Sequence, residues 1–244
     1  MKKTLPILSL CLAACLPLNT GAYDVVPVDN GGRIDGKVVF QGTDPAPRQY
    51  IVAKDADTCG TGTRSIDFVR VNNGALMDAV VYLHTVKSGK DFPVGIDDAE
   101  LNQEKCAFTP FLGVMKDGGQ LTVKNSDPVL HNIHTYEIIG RAKKTVFNIS
   151  QPGDLETFHK QVSLRRGTAM KVECDAHDFM HSFSFVAKNP YFAVVDEDGG
   201  FSIDDVPPGR YKIRAWHGTL GEKKGTVTVE AGGTIHVDFV FKAK

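Results

Sequence analysis

Twelve consecutive residues hold most of the chemistry this chain could do: Val172-Glu173-Cys174-Asp175-Ala176-His177-Asp178-Phe179-Met180-His181-Ser182-Phe183. They place a thiol, two imidazoles and a thioether between one apolar run and the next. Soft sulfur donors combined with imidazole suit copper, and two His, one Cys and a weak axial Met make a blue electron-transfer centre. The segment Cys174-x2-His177-x2-Met180 supplies three of those donors from one loop. A second imidazole must come from elsewhere, and the run Asn125-Ser126-Asp127-Pro128-Val129-Leu130-His131-Asn132-Ile133-His134 offers it. On a strand His131 and His134 point to opposite faces, so His131 is the preferred ligand and His134 its alternate. His181, directly after Met180, is the alternate fourth ligand and would shift the site towards a non-blue character.

The elements that must position these donors read as strands. From Gly31 onward short apolar runs are punctuated by Gly, Pro, Asn and Asp, and nothing sustains a helical period. Gln120 to Lys124 delivers the His131 loop. Ala169 to Cys174 leads into the Cys174 loop, and His181 to Ala187 leaves it. A boundary falls near Lys188-Asn189-Pro190. Beyond it Asp196-Glu197-Asp198-Gly199-Gly200 reads as a hairpin turn, and the strands up to Phe241 are enough for a small sandwich. The expected organisation is a leader over 1–22, a site-bearing unit with extra N-terminal strands over 23–188, and a second β-sandwich over 189–244.

Composition excludes several classes. The chain has 244 residues, with 28 Lys+Arg against 29 Asp+Glu, so no basic surplus exists to hold nucleic acid. Lys2-Lys3 followed by the apolar run Leu5 to Leu18 and by Thr20-Gly21-Ala22 reads as a secretory signal, which leaves no transmembrane segment in the mature chain. Leu12-Ala13-Ala14-Cys15 also resembles a bacterial lipobox, with Cys15 as a lipid anchor. Export to the periplasm changes the cysteine arithmetic, because an oxidising compartment favours disulfides. Cys59 and Cys106 both adjoin loop-like sequence and are the natural pair. Cys174 is then the odd thiol, and service as a metal thiolate explains its presence.

With those residues in view, two resemblances stand out. Asn125 to Asn132 resembles the His-Asn ligand loop of plastocyanins, and Cys174 to Met180 resembles the short ligand loop of amicyanin. The stretch Gln120 to Ala187 is thus similar to a cupredoxin, a Greek-key β-sandwich. Asp198-Gly199-Gly200-Phe201-Ser202-Ile203 and Val206-Pro207-Pro208-Gly209-Arg210-Tyr211-Lys212-Ile213 resemble the carboxypeptidase regulatory-like domain, a transthyretin-like sandwich. The whole chain resembles exported proteins of respiring bacteria that carry methylamine-utilisation names. These likenesses imply an all-β fold and one copper ion held by His131, Cys174, His177 and Met180. Asn132 would bond across to the Cys174 loop, and Phe179 and Phe183 would keep water away.

The expected activity is one-electron transfer, with exchange through the exposed edge of His177 and a partner such as a cytochrome. Copper storage, delivery or sensing without a carrier role is the alternative, as is a scaffold with a structural metal. No convincing set of catalytic groups is present, so the chain reads as a non-enzyme.

Overall fold

The computed structural model describes residues 23–153 and 157–243; the expected leader, with Cys15, lies outside the described residues. The fold is all-β. Its one described helix, Ala56–Cys59, is four residues long, and no described helix is long and apolar enough to cross a membrane.

Four sheets carry the architecture. Sheet I runs in the order Ala107–Thr109, Asp98–Glu104, Gln120–Asn125, Phe158–Gln161, and sheet II in the order Leu112–Lys116, His181–Ala187, Ala169–Glu173, His131–Ile139, Ala142–Gln151. Leu121, Val123, Ile133, Met170, Val172 and Val186 fill the space between them. Sheet III runs Phe192–Val194, Ala79–His84, Gly209–His217, Gly221–Val229. In sheet IV, Gly32–Gln41 pairs with Gly200–Val206, Ala75–Leu76, Thr234–His236 and Phe239–Lys242, and Val71–Asn72 joins at Ala75–Leu76.

Sheet II is covered on both faces, and one of its interior strands reads accordingly. In His181–Ala187 six of the seven residues are buried, and they divide by alternation. Val186 faces the core shared with sheet I, while Phe183, Phe185 and Ala187 face the core shared with sheet III. There the Phe183 and Phe185 rings lie 6.1 and 6.4 Å from that of Trp216, and Tyr82 is 5.0 Å from Phe185.

This pairing divides the chain differently from the sequence reading. Gly32–Gln41 and Ala79–His84 were expected to elaborate the site-bearing unit over 23–188. Instead Gly32–Gln41 hydrogen-bonds strands beyond residue 199, and Ala79–His84 lies between Phe192–Val194 and Gly209–His217. The second sandwich is therefore built from both ends of the described chain, with the site-bearing sheets between them in sequence. Alternation marks a strand but not its partner, and Asp35 finds His236 at a separation of 201 residues.

That long-range seam is tight. A Cβ at Gly36 would stand 1.8 Å from the carbonyl oxygen of Val237. Gly36→Ala is expected to cost about 1–3 kcal/mol, in the range for an overpacked core. An unchanged urea midpoint would show that the two ends do not meet so closely.

His217, also in sheet III, is only 1% exposed and its Nε2 has no partner among the described residues. Burial pushes it down to about 4. Above pH ~6.5 the ring is neutral whether folded or unfolded and adds no pH slope. From there down to about 4 the unfolded chain binds a proton that the folded chain refuses, so acid destabilises, by about 3 kcal/mol in total. His217→Asn keeps an acceptor for the N–H groups of Thr219 and Leu220, which now donate to Nδ1. It should flatten the pH dependence of stability in that window by about one proton, as read from denaturation midpoints.

Candidate metal centre

The site forms where two loops meet at the end of the sandwich of sheets I and II. Asn125 closes the first loop: its Nδ2 donates to the carbonyls of Val129 and Pro152, each at 2.9 Å, and its Oδ1 accepts from the Asp127 N–H at 3.1 Å. His131 then opens the strand His131–Ile139 with its ring fully buried. The second loop leaves Ala169–Glu173 at Cys174 and re-enters the sheet at His181. It is closed by the Met180 N–H donating to the His177 carbonyl at 3.0 Å and the Cys174 N–H donating to the Met180 carbonyl at 3.4 Å.

His131, Cys174 and His177 converge, each buried, with one donor atom apiece all within 4.8 Å of one another. The two Nδ1 atoms are 3.1 Å apart, and Cys174 Sγ is 3.8 Å from His177 Nδ1. Bonds of ~2.0–2.3 Å from nitrogen and sulfur to one ion fit such separations.

The hydrogen bonds outside the cluster decide which ring nitrogens are free. Asp127 Oδ2 lies 2.9 Å from His131 Nε2, and Asp55 Oδ2 lies 2.8 Å from His177 Nε2. Asp127 is itself fixed by N–H groups of Lys105 and Cys106 at 2.6 and 2.8 Å. An ionised carboxylate only accepts, so each Nε2 is assigned the proton and each Nδ1 keeps its lone pair. Two imidazole lone pairs then face each other in a dry pocket beside a sulfur. That arrangement repels itself unless a cation sits among the three atoms.

Burial holds His131 below the ordinary imidazole range, against the pull of Asp127 and with added lowering from His177. The ring is thus kept neutral, as a metal ligand must be. Burial pushes the Cys174 thiol up, opposed by N–H groups of Asn132, His177 and Ala176. The Asn132 N–H, 3.4 Å from Sγ, is a donor suited to an anionic sulfur.

The other sequence candidates fall into place around this trio. Asn132 does cross to the Cys174 loop, accepting the Asp175 N–H at 2.5 Å and donating to Asp175 Oδ2 at 3.0 Å. Met180 is buried in the same core as Cys174 and Phe179. His134 points to the other face, as the odd spacing requires, and bonds Asp175, Thr145 and Tyr136. His181 is outside the trio too, 3.3 Å from the Tyr50 hydroxyl and packed on Phe68. Phe183 faces sheet III rather than the site, because it alternates with Val186, which lies in the same core as Cys174.

The largest departure concerns His177. Its edge was expected to be exposed, yet the residue is 2% exposed. A cap covers it: the hairpin Arg48–Ile51 and Thr63–Ile66 with the helix Ala56–Cys59 at its tip. Asp55 sits in the left-handed region, φ 52°, just before that helix, which aims its carboxylate at the imidazole. The Arg64 guanidinium lies 5.1 Å over the Phe179 ring. The Cys59–Cys106 disulfide, with Cα atoms 5.2 Å apart, ties the cap to the residue that donates to Asp127. The pairing expected from sequence is the one formed. Asp55 and Asp127 were not singled out as site residues. For Asp127, four positions before His131, the tight Asn125-x-Asp127 turn was a usable signal; for Asp55, 122 residues from His177, there was none.

Comparison with known proteins gives partial likenesses. No curated protein matches the chain. The family described as "Polysaccharide lyase family 4, domain II" matches residues 166–237, less than half of the chain, and the match crosses the boundary expected at 188. Among solved structures, a purple cupredoxin from Nitrosopumilus maritimus is 19% identical, with 37% of this chain and 100% of that chain covered and a TM-score of 0.31. Amicyanin from Paracoccus versutus is 15% identical over 40% of this chain and 86% of that one, TM-score 0.30. Auracyanin A from Chloroflexus aurantiacus is 14% identical over 37% and 98%, TM-score 0.30. Likenesses this distant carry no weight for function, and the case for the site stands on its donor atoms.

Proposed function

We infer that this protein binds one copper ion through His131 Nδ1, Cys174 Sγ and His177 Nδ1, with Met180 as the weak fourth ligand. The observation that carries the reading is the pair of Nδ1 lone pairs, fixed by two carboxylates, facing each other beside a buried sulfur. Copper accepts this mix of thiolate and imidazole, and supplies reversible one-electron chemistry when bound. The chain's own part is to hold the donors rigidly and exclude water, through the Asn132–Asp175 bonds and the apolar core around Phe179. Asp127 and Asp55 fix the orientation and tautomer of their imidazoles. Both are committed to ring N–H groups, so neither is free as an acid or base, and the reading is non-catalytic.

An exported one-electron carrier, exchanging with a redox protein, is the primary reading. The closed cap favours a second, in which copper is stored or delivered, since a buried His177 presents no edge to a docking partner. Anaerobic loading with Cu(I), then oxidation, separates them. A carrier gives an intense charge-transfer band near 600 nm and a reversible potential; a store gives tight Cu(I) binding and a colourless or irreversible Cu(II) state. If the protein prefers zinc and takes up no copper in competition, the copper reading fails. Asp127→Asn should weaken metal affinity by about 10–100-fold while the apo-protein remains folded, as for other carboxylates that orient a ligating imidazole. Competition with a calibrated chelator reads that change.

A further inference from the structure

Away from the metal centre, two cavities of about 520 and 780 Å³ open where sheet II meets sheet III. They share Tyr82, His84, Arg166 and Thr168 and so form one cleft across the junction of the two sandwiches. Each is of the size that holds a small organic ligand, and junctions between β-units are a usual place for one.

The lining is rich in cations. Lys87, Arg141, Arg166, Lys188, Arg214 and Lys224 line it against two carboxylates, Asp24 and Glu222, in a chain whose net charge is −1. Glu222 is already taken by Arg214 at 3.1 Å, Lys224 at 3.6 Å and the Tyr82 hydroxyl at 2.5 Å. Arg166, Arg141 and Lys87 have no carboxylate partner among the described residues. The nearest acid in sequence to Arg166 that is buried, Glu137, spends its oxygen on the backbone N–H groups of Arg166 and Gly167, both at 2.6 Å. The turn is thereby pinned, and among the described residues the Arg166 guanidinium has no partner. Gly167 belongs to the same design, since a Cβ there would meet the Ile138 carbonyl at 2.4 Å. Burial and the cations Arg214, Lys212 and Lys224 hold His84 below its ordinary range, opposed by Glu222, as expected in a positive field. Beneath the charges the floor is apolar and aromatic, with Phe185, Tyr82, Leu220 and the chain's single tryptophan, Trp216.

We propose that this cleft binds a small organic anion, a carboxylate carried on a flat ring, with the ring against Phe185 and Tyr82 and the carboxylate on Arg166 and Lys188. A guanidinium offers a planar fork that matches a carboxylate, and cations gathered around a concave cleft raise the local concentration of an anion. The site does not involve the metal ligands and stands or falls independently of them.

The test uses the full exported chain and a matched pair of probes, 2-naphthoate and the neutral 2-naphthalenemethanol. Calorimetric titration should show one saturable site for the anion, weakened by added salt, with a parallel change in Trp216 fluorescence. Arg166→Gln and Lys188→Gln should each weaken naphthoate by about 10-fold or more, the usual effect of losing a charge-assisted hydrogen bond. Arg166 makes no side-chain bond among the described residues, so its variant should melt like the parent; Lys188 Nζ donates to the Leu164 carbonyl at 3.0 Å, and Lys188→Gln gives a second reading. No saturable heat with naphthoate, equal binding of the neutral probe, or naphthoate affinity unchanged in both variants would each overturn the proposal.

Discussion

Cys174→Ser is expected to abolish the visible charge-transfer band completely and to produce the largest loss of copper affinity of any single change in the chain. The reason is the donor set itself. Serine keeps the shape, but a hydroxyl has neither the softness nor the accessible anion of a thiol, and the intense absorption of such centres comes from the sulfur. The two imidazoles would remain in place, held at Nε2 by Asp127 and Asp55. Cu(II) binding by nitrogen alone is therefore the expected residue of activity: weak and pale. The apo-variant should be about as stable as the parent, since the Asn132 N–H can donate to a hydroxyl as it does to Sγ. A Cys174→Ser protein that keeps its colour would remove Cys174 from the site.

Breaking the Cys59–Cys106 bond is the change with the largest expected effect on stability. The bond closes a separation of 47 residues, and the chain-entropy relation gives roughly 3–4 kcal/mol for such a loop. Against the ~5–15 kcal/mol by which folded proteins are typically stable, that is a large share. Cys59→Ser with Cys106→Ser together, compared with the parent by denaturant titration, should show it. The cap packs only partly buried apolar side chains on the core, Tyr50, Val52 and Ile66, while Ile51 is 77% exposed and Cys59 is the only buried residue of its helix. Without the bond, Asp55 is held against His177 by a single hydrogen bond. The double variant should therefore react faster with small Cu(I) chelators when copper-loaded, as well as melt lower. Equal melting and equal chelation rates would mean that packing alone holds the cap.

How much of this was legible in the sequence depends on range. The convergence of His131, Cys174 and His177 involves residues that stand out because ligand chemistry is local: Cys174 and His177, with the proposed fourth ligand Met180, fall within one loop, and the odd step from His131 to His134 sends those two rings to opposite faces of one strand. The all-β class followed from the punctuated apolar runs, and the disulfide from counting thiols once the odd one had a use. Most partners of Gly32–Gln41 were not legible, since a strand's alternation is the same whichever neighbour it joins, and all but Ala75–Leu76 lie about 160–200 residues downstream. Nor was the cap. Asp55 in Lys54-Asp55-Ala56-Asp57 reads as one more solvated acid, and only the left-handed turn and the distant tether make it a neighbour of His177. Phe183 was assigned to the metal pocket because a two-sided sheet was not foreseen; once sheet III covers the far face of sheet II, alternation sends Phe183 there.

The interleaving of the two sandwiches also sets an order of events in folding. Gly32–Gln41 cannot complete its sheet until Thr234–His236 and Phe239–Lys242 are available, so about two hundred residues of chain must be made first. The contacts of the site-bearing sheets are far more local, as between His131–Ile139 and Ala142–Gln151. High contact order slows folding because loop closure precedes any gain from pairing. The inner sandwich should therefore fold first, on its own timescale, while an unpaired amino-terminal strand waits with its edges open to a chaperone or to a neighbouring chain.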